Sequence, residues 1–361
     1  MSFTLKRVIL TMVISMKSKK KYTFFIVFFI LLILGTYYFV LRDYSFLEFK
    51  NSLTDCNLFY IGLSFSMLIL FVLSGSLFLK RMLYYFGKKI TWRQAIGYLA
   101  TEVYFSAITP SSTGGQPVQM YEMNKDGIKV RTSSVVVLLN TILYKLALIL
   151  LAFLIVPFYL LDIFNISNLF SILIILGLIV NIFVVILFIS MVYSRKVMPK
   201  IIKSLISFGY KIHIIQDKSS KLEKFNNAIM DYKKCSDLTK KRPIILLEGL
   251  FYMLIQRMSI FAISFFIYSS FGLNSYSFFC LVAFQICITL ASDFVPLPGG
   301  VGVSESLLLK VNEVIYGTIF ATSGMILFRG ISFYIFVLIG GVFYLIFHFS
   351  KRQKKKKQGS K

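Results

Sequence analysis

Seven charged residues stand where an apolar chain should not carry them. Lys145, Arg257 and Arg329 lie inside hydrophobic runs, and Glu102, Glu122, Asp293 and Glu305 lie beside two short stretches rich in proline and glycine. The first stretch is Thr109-Pro110-Ser111-Ser112-Thr113-Gly114-Gly115-Gln116-Pro117. The second is Val295-Pro296-Leu297-Pro298-Gly299-Gly300-Val301-Gly302-Val303-Ser304-Glu305. A charge at the centre of a bilayer costs about 2.5–3.5 kcal/mol even on permissive insertion scales, so such residues are paired, wetted or functional. Three cations set among carboxylates can neutralise a phosphate while presenting acids to an amine or a sugar. Glycine-rich turns ahead of helix starts add backbone N–H groups for an anion. Each residue type also has a plainer use. Arg329 can snorkel to an interface, Lys145 and Arg257 can pair with acids on other helices, and Asp293 and Glu305 can cap a helix. The Gly-Gly pairs can serve close packing, and Glu248, near the end of its run, reads as interfacial.

Other chemistries lack their residues. No Gly-Lys-Ser/Thr follows either glycine stretch, which argues against ATP hydrolysis, and the Ser111-Ser112-Thr113 hydroxyls have no neighbouring histidine base. His213 and His348 are too distant for a metal site. Cys56, Cys235, Cys280 and Cys287 form no ligand pattern; Cys280 and Cys287, seven apart, read as inert thiols on one helical face. No metal or cofactor is expected.

The elements that must hold these residues are membrane helices. Hydrophobic residues make up 57% of the 361, mean hydropathy is +0.77, and there are 38 Phe and 21 Tyr. No soluble core hides that much apolar surface. The fold class expected is an all-α polytopic integral membrane protein, with spans near 22–41, 58–79, 134–161, 169–193, 244–271, 276–296 and 325–349. The run Tyr22–Leu41 is too long for a signal peptide and reads as an uncleaved first span. Two weaker segments, 94–109 and 303–320, abut the stretches where proline removes a helical donor and glycine admits unusual dihedrals. Such breaks in hydrocarbon survive only inside protein or beside a watery cavity. Matched breaks in two halves of a chain point to a transport site and to an inverted repeat.

Charge sets the expected orientation. Residues 1–21, 80–93, 194–243 and 351–361 hold 31 of the 40 basic residues behind the net charge of +25. By the positive-inside rule all four are cytoplasmic, termini included. They are topology determinants and contacts for anionic lipid rather than a nucleic-acid surface, since no nucleic-acid-binding motif accompanies them. A full crossing by 94–109 would put the most basic loop outside, so a re-entrant hairpin returning by about residue 118 is expected. For 303–320 a short crossing and half of a second hairpin both stay open, giving about eight crossings in all. The organisation expected is a basic N-terminus (1–21), one membrane domain (22–349) with a basic loop (194–243), and a disordered lysine-rich tail (350–361). Lys196–Gln216 has the spacing of an amphipathic helix on the cytoplasmic leaflet.

The two Pro/Gly stretches, the second above all, resemble those of the lysylphosphatidylglycerol synthase transmembrane (flippase-like) family, which includes the membrane half of the multiple peptide resistance factor. The resemblance covers roughly residues 20–350. It implies a bacterial inner-membrane protein that moves an aminoacylated or otherwise modified lipid between leaflets, contributing to surface charge and cationic peptide resistance. In that factor a C-terminal domain transfers lysine from Lys-tRNA to phosphatidylglycerol; the chain ends at Lys361, so that domain is expected to be absent. Where the family leads one to expect an arginine near Asn140–Lys145, this chain has Lys145. The substrate-contact residues expected are Glu102, Thr109, Pro110, Gly114, Gly115, Gln116, Pro117, Glu122, Lys145, Arg257, Asp293, Pro296, Pro298, Gly299, Gly300, Gly302, Glu305 and Arg329. Two other readings stay open: a lysyltransferase acting alone or with a separate synthase subunit, and a membrane scaffold for envelope synthesis.

Overall fold

The computed structural model describes residues 56–109, 112–193, 207, 242–293, 295 and 297–358. The expected first span, the basic N-terminus, almost all of the 194–243 loop with its amphipathic segment, His213, Cys235, Pro110, Ser111 and Pro296 lie outside these residues. Among the described residues all regular structure is helical.

The chain begins with α1 (Leu58–Tyr85), started by Asn57, whose side chain accepts from the Phe59 N–H. After a turn comes α2 (Trp92–Ala107), opened by a reciprocal Thr91–Gln94 capping box, and then α3 (Gly115–Lys125). Next is α4 (Val130–Ile155), which passes through a 3-10 turn into the short α5 (Leu160–Phe164), followed by α6 (Asn168–Tyr193). The rest comprises α7 (Ile244–Ser270), α8 (Phe278–Ser292), α9 (Val303–Ile315), α10 (Gly317–Arg329) and α11 (Phe336–Gln358). Five stretches are long and apolar enough to cross a membrane: Leu58–Tyr85, Val130–Phe164, Asn168–Ser190, Ile244–Ser270 and Gly317–Phe347.

Length separates these from the helices at the breaks. At 1.5 Å per residue α1 reaches about 42 Å, whereas α2 reaches about 24 Å and α8 about 22 Å, short of the roughly 30 Å hydrocarbon core. The span expected at 276–296 therefore shrinks to Phe278–Ser292, because the Pro-containing stretch stops the helix at Asp293. The hairpin expected around 94–118 is present. α2 and α3 pack against each other, with the Tyr98 hydroxyl near the start of α2 donating to Asp126 just past the end of α3. Its return leg runs on to Lys125. The segment expected at 303–320 divides at Tyr316–Gly317, where α9 folds back on α10 and the Asn312 amide donates to the Ala321 carbonyl at 3.1 Å. Gly317 has φ +71, a left-handed turn that suits glycine. The tail expected to be disordered is helical through Gln358.

The helix order repeats. A long helix (α1, 28 residues; α7, 27), a short one (α2, 16; α8, 15), a Pro/Gly break and a second short helix (α3, 11; α9, 13) occur twice. The two long helices form the most extensive helix pair and run antiparallel. The Asn57 N–H donates to the Ser270 carbonyl, the Ser74 hydroxyl to the Tyr252 carbonyl, and Arg81 and Tyr85 to Glu248. Equivalent helices that run oppositely define an inverted repeat. The halves also exchange partners. α11, at the end of the second half, packs on α2, and α6, at the end of the first, packs on α8. Glycines permit both contacts. A Cβ on Gly177 of α6 would strike the Leu290 carbonyl of α8, and one on Gly341 of α11 would meet the Tyr104 ring of α2. The outer face of α6, formed by Ile172, Ile175, Ile179, Phe183 and Ile186, is more than half exposed at every position, as a lipid-facing stripe should be.

Candidate functional site

The two breaks meet. A Cβ added to Gly299 would lie 3.4 Å from the carbonyl of Ala107, the last residue of α2, and the 3-10 turn Pro298–Gly300 touches α2. Each break is built from its own sequence. In the first, the Thr109 hydroxyl donates to the Phe105 carbonyl at 2.7 Å and accepts the Gly114 N–H at 2.9 Å, closing the turn. Ser112 is held at φ +52, a conformation that costs a non-glycine residue about 1–2 kcal/mol. Gly115 lies on the α2 backbone, where a Cβ would collide with the Glu102 carbonyl and the Ser106 hydroxyl. Pro117 sits in the first turn of α3, where no intrahelical donor is lost.

In the second break Gly299, Gly300 and Gly302 all have positive φ (59, 66 and 90°). Glu305, fully buried, organises them. Its carboxylate accepts the Gly302 N–H at 2.7 Å, the Ser304 hydroxyl at 3.1 Å, Arg329 at 2.8 Å and the Tyr334 hydroxyl at 3.1 Å. Arg329 also reaches the Gly299 carbonyl at 3.4 Å and lies over the Phe333 ring. Phe333 and Tyr334 belong to a π-helical turn, Gly330–Ile335, between α10 and α11. The wider turn presents two consecutive aromatics to the break, a use to which π-turns are often put.

Helix α4 joins the two breaks. Four of its residues, one turn apart in two pairs, reach five other elements. Asn140 donates to Glu102 of α2 at 3.0 Å, and Thr141 accepts from Gln116 of α3. Tyr144 carries the Arg257 guanidinium of α7 on its ring face, 3.3 Å from the centroid. Lys145 donates to Asn181 of α6 at 2.7 Å and pairs with Asp293, at the end of α8, at 3.3 Å. Tyr144 lies within electrostatic reach of Glu102, Arg257 and Asp293 together.

Of the residues expected from sequence, Glu102, Gln116, Lys145, Arg257 and Asp293 thus converge on α4, while Gly299, Gly300, Gly302, Glu305 and Arg329 form the second break. Thr109, Gly114 and Gly115 shape the first break by packing. Glu122 stands apart: it is fully buried two turns along α3 and pairs with Lys125 at 3.1 Å. Glu248 is tied to Arg81, Tyr85 and Tyr252 in the α1–α7 pair. Sequence reasoning missed Asn140, Tyr144, Asn181, Gln119 and Tyr334. The one available signal was the four-residue spacing of Asn140 with Tyr144 and of Thr141 with Lys145 in an otherwise apolar run.

Two groups are left chemically incomplete. Arg257 is 3% exposed, yet its Nε and one terminal nitrogen have no hydrogen-bond partner among the described residues. Gln119, fully buried, donates from Nε2 to Glu102 at 3.0 Å and to the Tyr98 carbonyl at 3.2 Å, and its Oε1 has no partner among the described residues.

No curated protein and no solved structure matches the chain. A family model does, over residues 24–340, a range that takes in both breaks and all of α4. The chain is a multi-pass membrane protein that belongs to the family described as the lysylphosphatidylglycerol synthase TM region.

Proposed function

We propose that this protein moves a modified phospholipid, of which lysylphosphatidylglycerol is the type, between the leaflets of the bacterial cytoplasmic membrane. The observation that carries this reading is the meeting of two helix breaks, Gly299 against the Ala107 carbonyl, beside charged residues gathered on α4. Broken helices at an inverted-repeat interface are how membrane proteins build a polar seat at mid-depth without exposing backbone to lipid. The headgroup occupies that seat while its acyl chains stay in the bilayer. The Lys145–Asp293 pair links the first half (α4) to the second (end of α8) and is partly exposed on both sides, so it can open as the halves rock. The Arg329–Glu305 pair is buried inside one half and holds the second break in shape. Both termini and the basic loops face the cytoplasm, where they contact anionic lipid. Movement down a gradient calls for no cofactor.

Reconstitution into vesicles with fluorescent lysylphosphatidylglycerol tests this. Loaded vesicles should move the probe between leaflets faster than empty ones, and faster than they move unmodified phosphatidylglycerol. Equal rates in empty and loaded vesicles would contradict it. The family description favours one second reading, a lysyltransferase working with a separate synthase. That reading requires lysine from charged tRNA to appear in lipid on thin-layer chromatography when the protein is supplied.

A further inference from the structure

The charges around the breaks do not all stand in the same condition, and the difference specifies a ligand. Asp293 is matched by Lys145, and Glu305 by Arg329. Glu102 is met by two neutral amides, Gln119 and Asn140, with no cation at ion-pair distance among the described residues. Among the described residues Arg257 has no acid at that distance; it meets the Tyr144 and Phe261 rings and keeps two unpartnered donors while almost wholly buried. Beside Glu102, Gln119 Oε1 is a buried acceptor without a donor; its orientation is fixed because its nitrogen serves two acceptors. Buried polar atoms are rarely left in this state, each costing about 1–3 kcal/mol. Orphaned donors on a guanidinium suit an oxyanion, and an orphaned acceptor next to a carboxylate suits an ammonium.

We infer that the site takes a headgroup bearing an anion and an amine together, the phosphodiester on Arg257 and the ammonium on Glu102 and Gln119. The inference rests on the translocation reading and deepens it by naming the charge pattern recognised. The spacing supports it. Asn140, which holds Glu102, and Tyr144, which holds Arg257, are four residues apart on α4, about 6 Å along the axis, so the two poles are offset by one helical turn. A lipid with phosphate alone satisfies one pole. It leaves the carboxylate and Gln119 Oε1 unanswered, so the site discriminates by the amine.

The test is equilibrium binding of three lipids to the purified full chain in detergent, followed by native mass spectrometry: lysylphosphatidylglycerol, phosphatidylethanolamine and phosphatidylglycerol. The first two carry an amine; they distinguish an aminoacyl headgroup from a simple ethanolamine one. Wild type should prefer at least one aminated lipid over phosphatidylglycerol. Glu102→Gln should abolish that preference without weakening phosphatidylglycerol. Arg257→Gln should weaken all three by at least about tenfold, and Arg257→Lys should recover part of the loss. Lys recovery also guards against misfolding of the Gln variant. Equal wild-type affinity for all three lipids, or unchanged aminated-lipid binding in either Gln variant, overturns the inference. Binding as expected without movement between leaflets would sink the translocation reading alone. Movement with no Glu102-dependent preference would sink this inference alone.

Discussion

Glu305 shows how one side chain can hold a strained backbone. Its fully buried carboxylate receives a backbone N–H from a glycine at φ +90 together with a hydroxyl, a phenol and a guanidinium. Removing Arg329 would leave that charge without its cation, a change that costs about 3–5 kcal/mol when the pair is buried. Lys145 and Asp293 are 20% and 29% exposed, so water covers much of the same loss there. Arg329→Ala is therefore expected to unfold at clearly lower temperature than wild type, and Lys145→Ala close to it, in thermal denaturation of the detergent-solubilised protein. The reverse order would show that the second break does not depend on its buried pair.

The helices were more legible than their partners. Long apolar runs announce α1, α4, α6 and α7, and proline with glycine announces both breaks, because those are local properties of the chain. The full length of the return leg α3 is not marked in the sequence, because Gln119, Glu122 and Asn124 interrupt any apolar period; Gln119 and Glu122 are nonetheless buried. The α9–α10 turn was ambiguous because Gly317 in an apolar context gives no sign of its φ. Among the polar partners, Asn181 carries no local pattern, and Asn140 and Tyr144 show only their four-residue spacing. They acquire meaning only when α2, α7 and α8 are set against α4 and α6. Glycine roles likewise depend on neighbours. Gly115→Ala and Gly177→Ala each push a methyl into a backbone carbonyl and should destabilise by about 1–3 kcal/mol. Gly62→Ala, in the second turn of α1 with nothing within 4 Å, should be neutral or stabilising by up to about 1 kcal/mol. Chemical or thermal unfolding of the three variants checks the contrast.

Among the described residues one helix order occurs twice, with α1 and α7 paired antiparallel along their length, α6 packed on α8 and α11 on α2. The α1–α7 seam is held at both ends and the middle by Asn57–Ser270, Ser74–Tyr252 and Arg81–Glu248. By contrast, the halves meet at the breaks through glycine, a carbonyl and the partly exposed Lys145–Asp293 pair. On the translocation reading proposed above, rocking of the two halves would turn about the α1–α7 seam. The charges in the sequence mark the segments beside the breaks, but not that three of the four acids there are matched, Glu122 by Lys125, Asp293 by Lys145 and Glu305 by Arg329.

The most direct measurement uses single cysteines at the two breaks, Thr113→Cys and Leu297→Cys, both at exposed positions, in a chain whose Cys56, Cys235, Cys280 and Cys287 are replaced. In vesicles a charged, membrane-impermeant thiol reagent should modify both, and lysylphosphatidylglycerol in the bilayer should slow both reactions. If neither cysteine reacts from either face of the membrane, the breaks line no watery seat and the account is wrong.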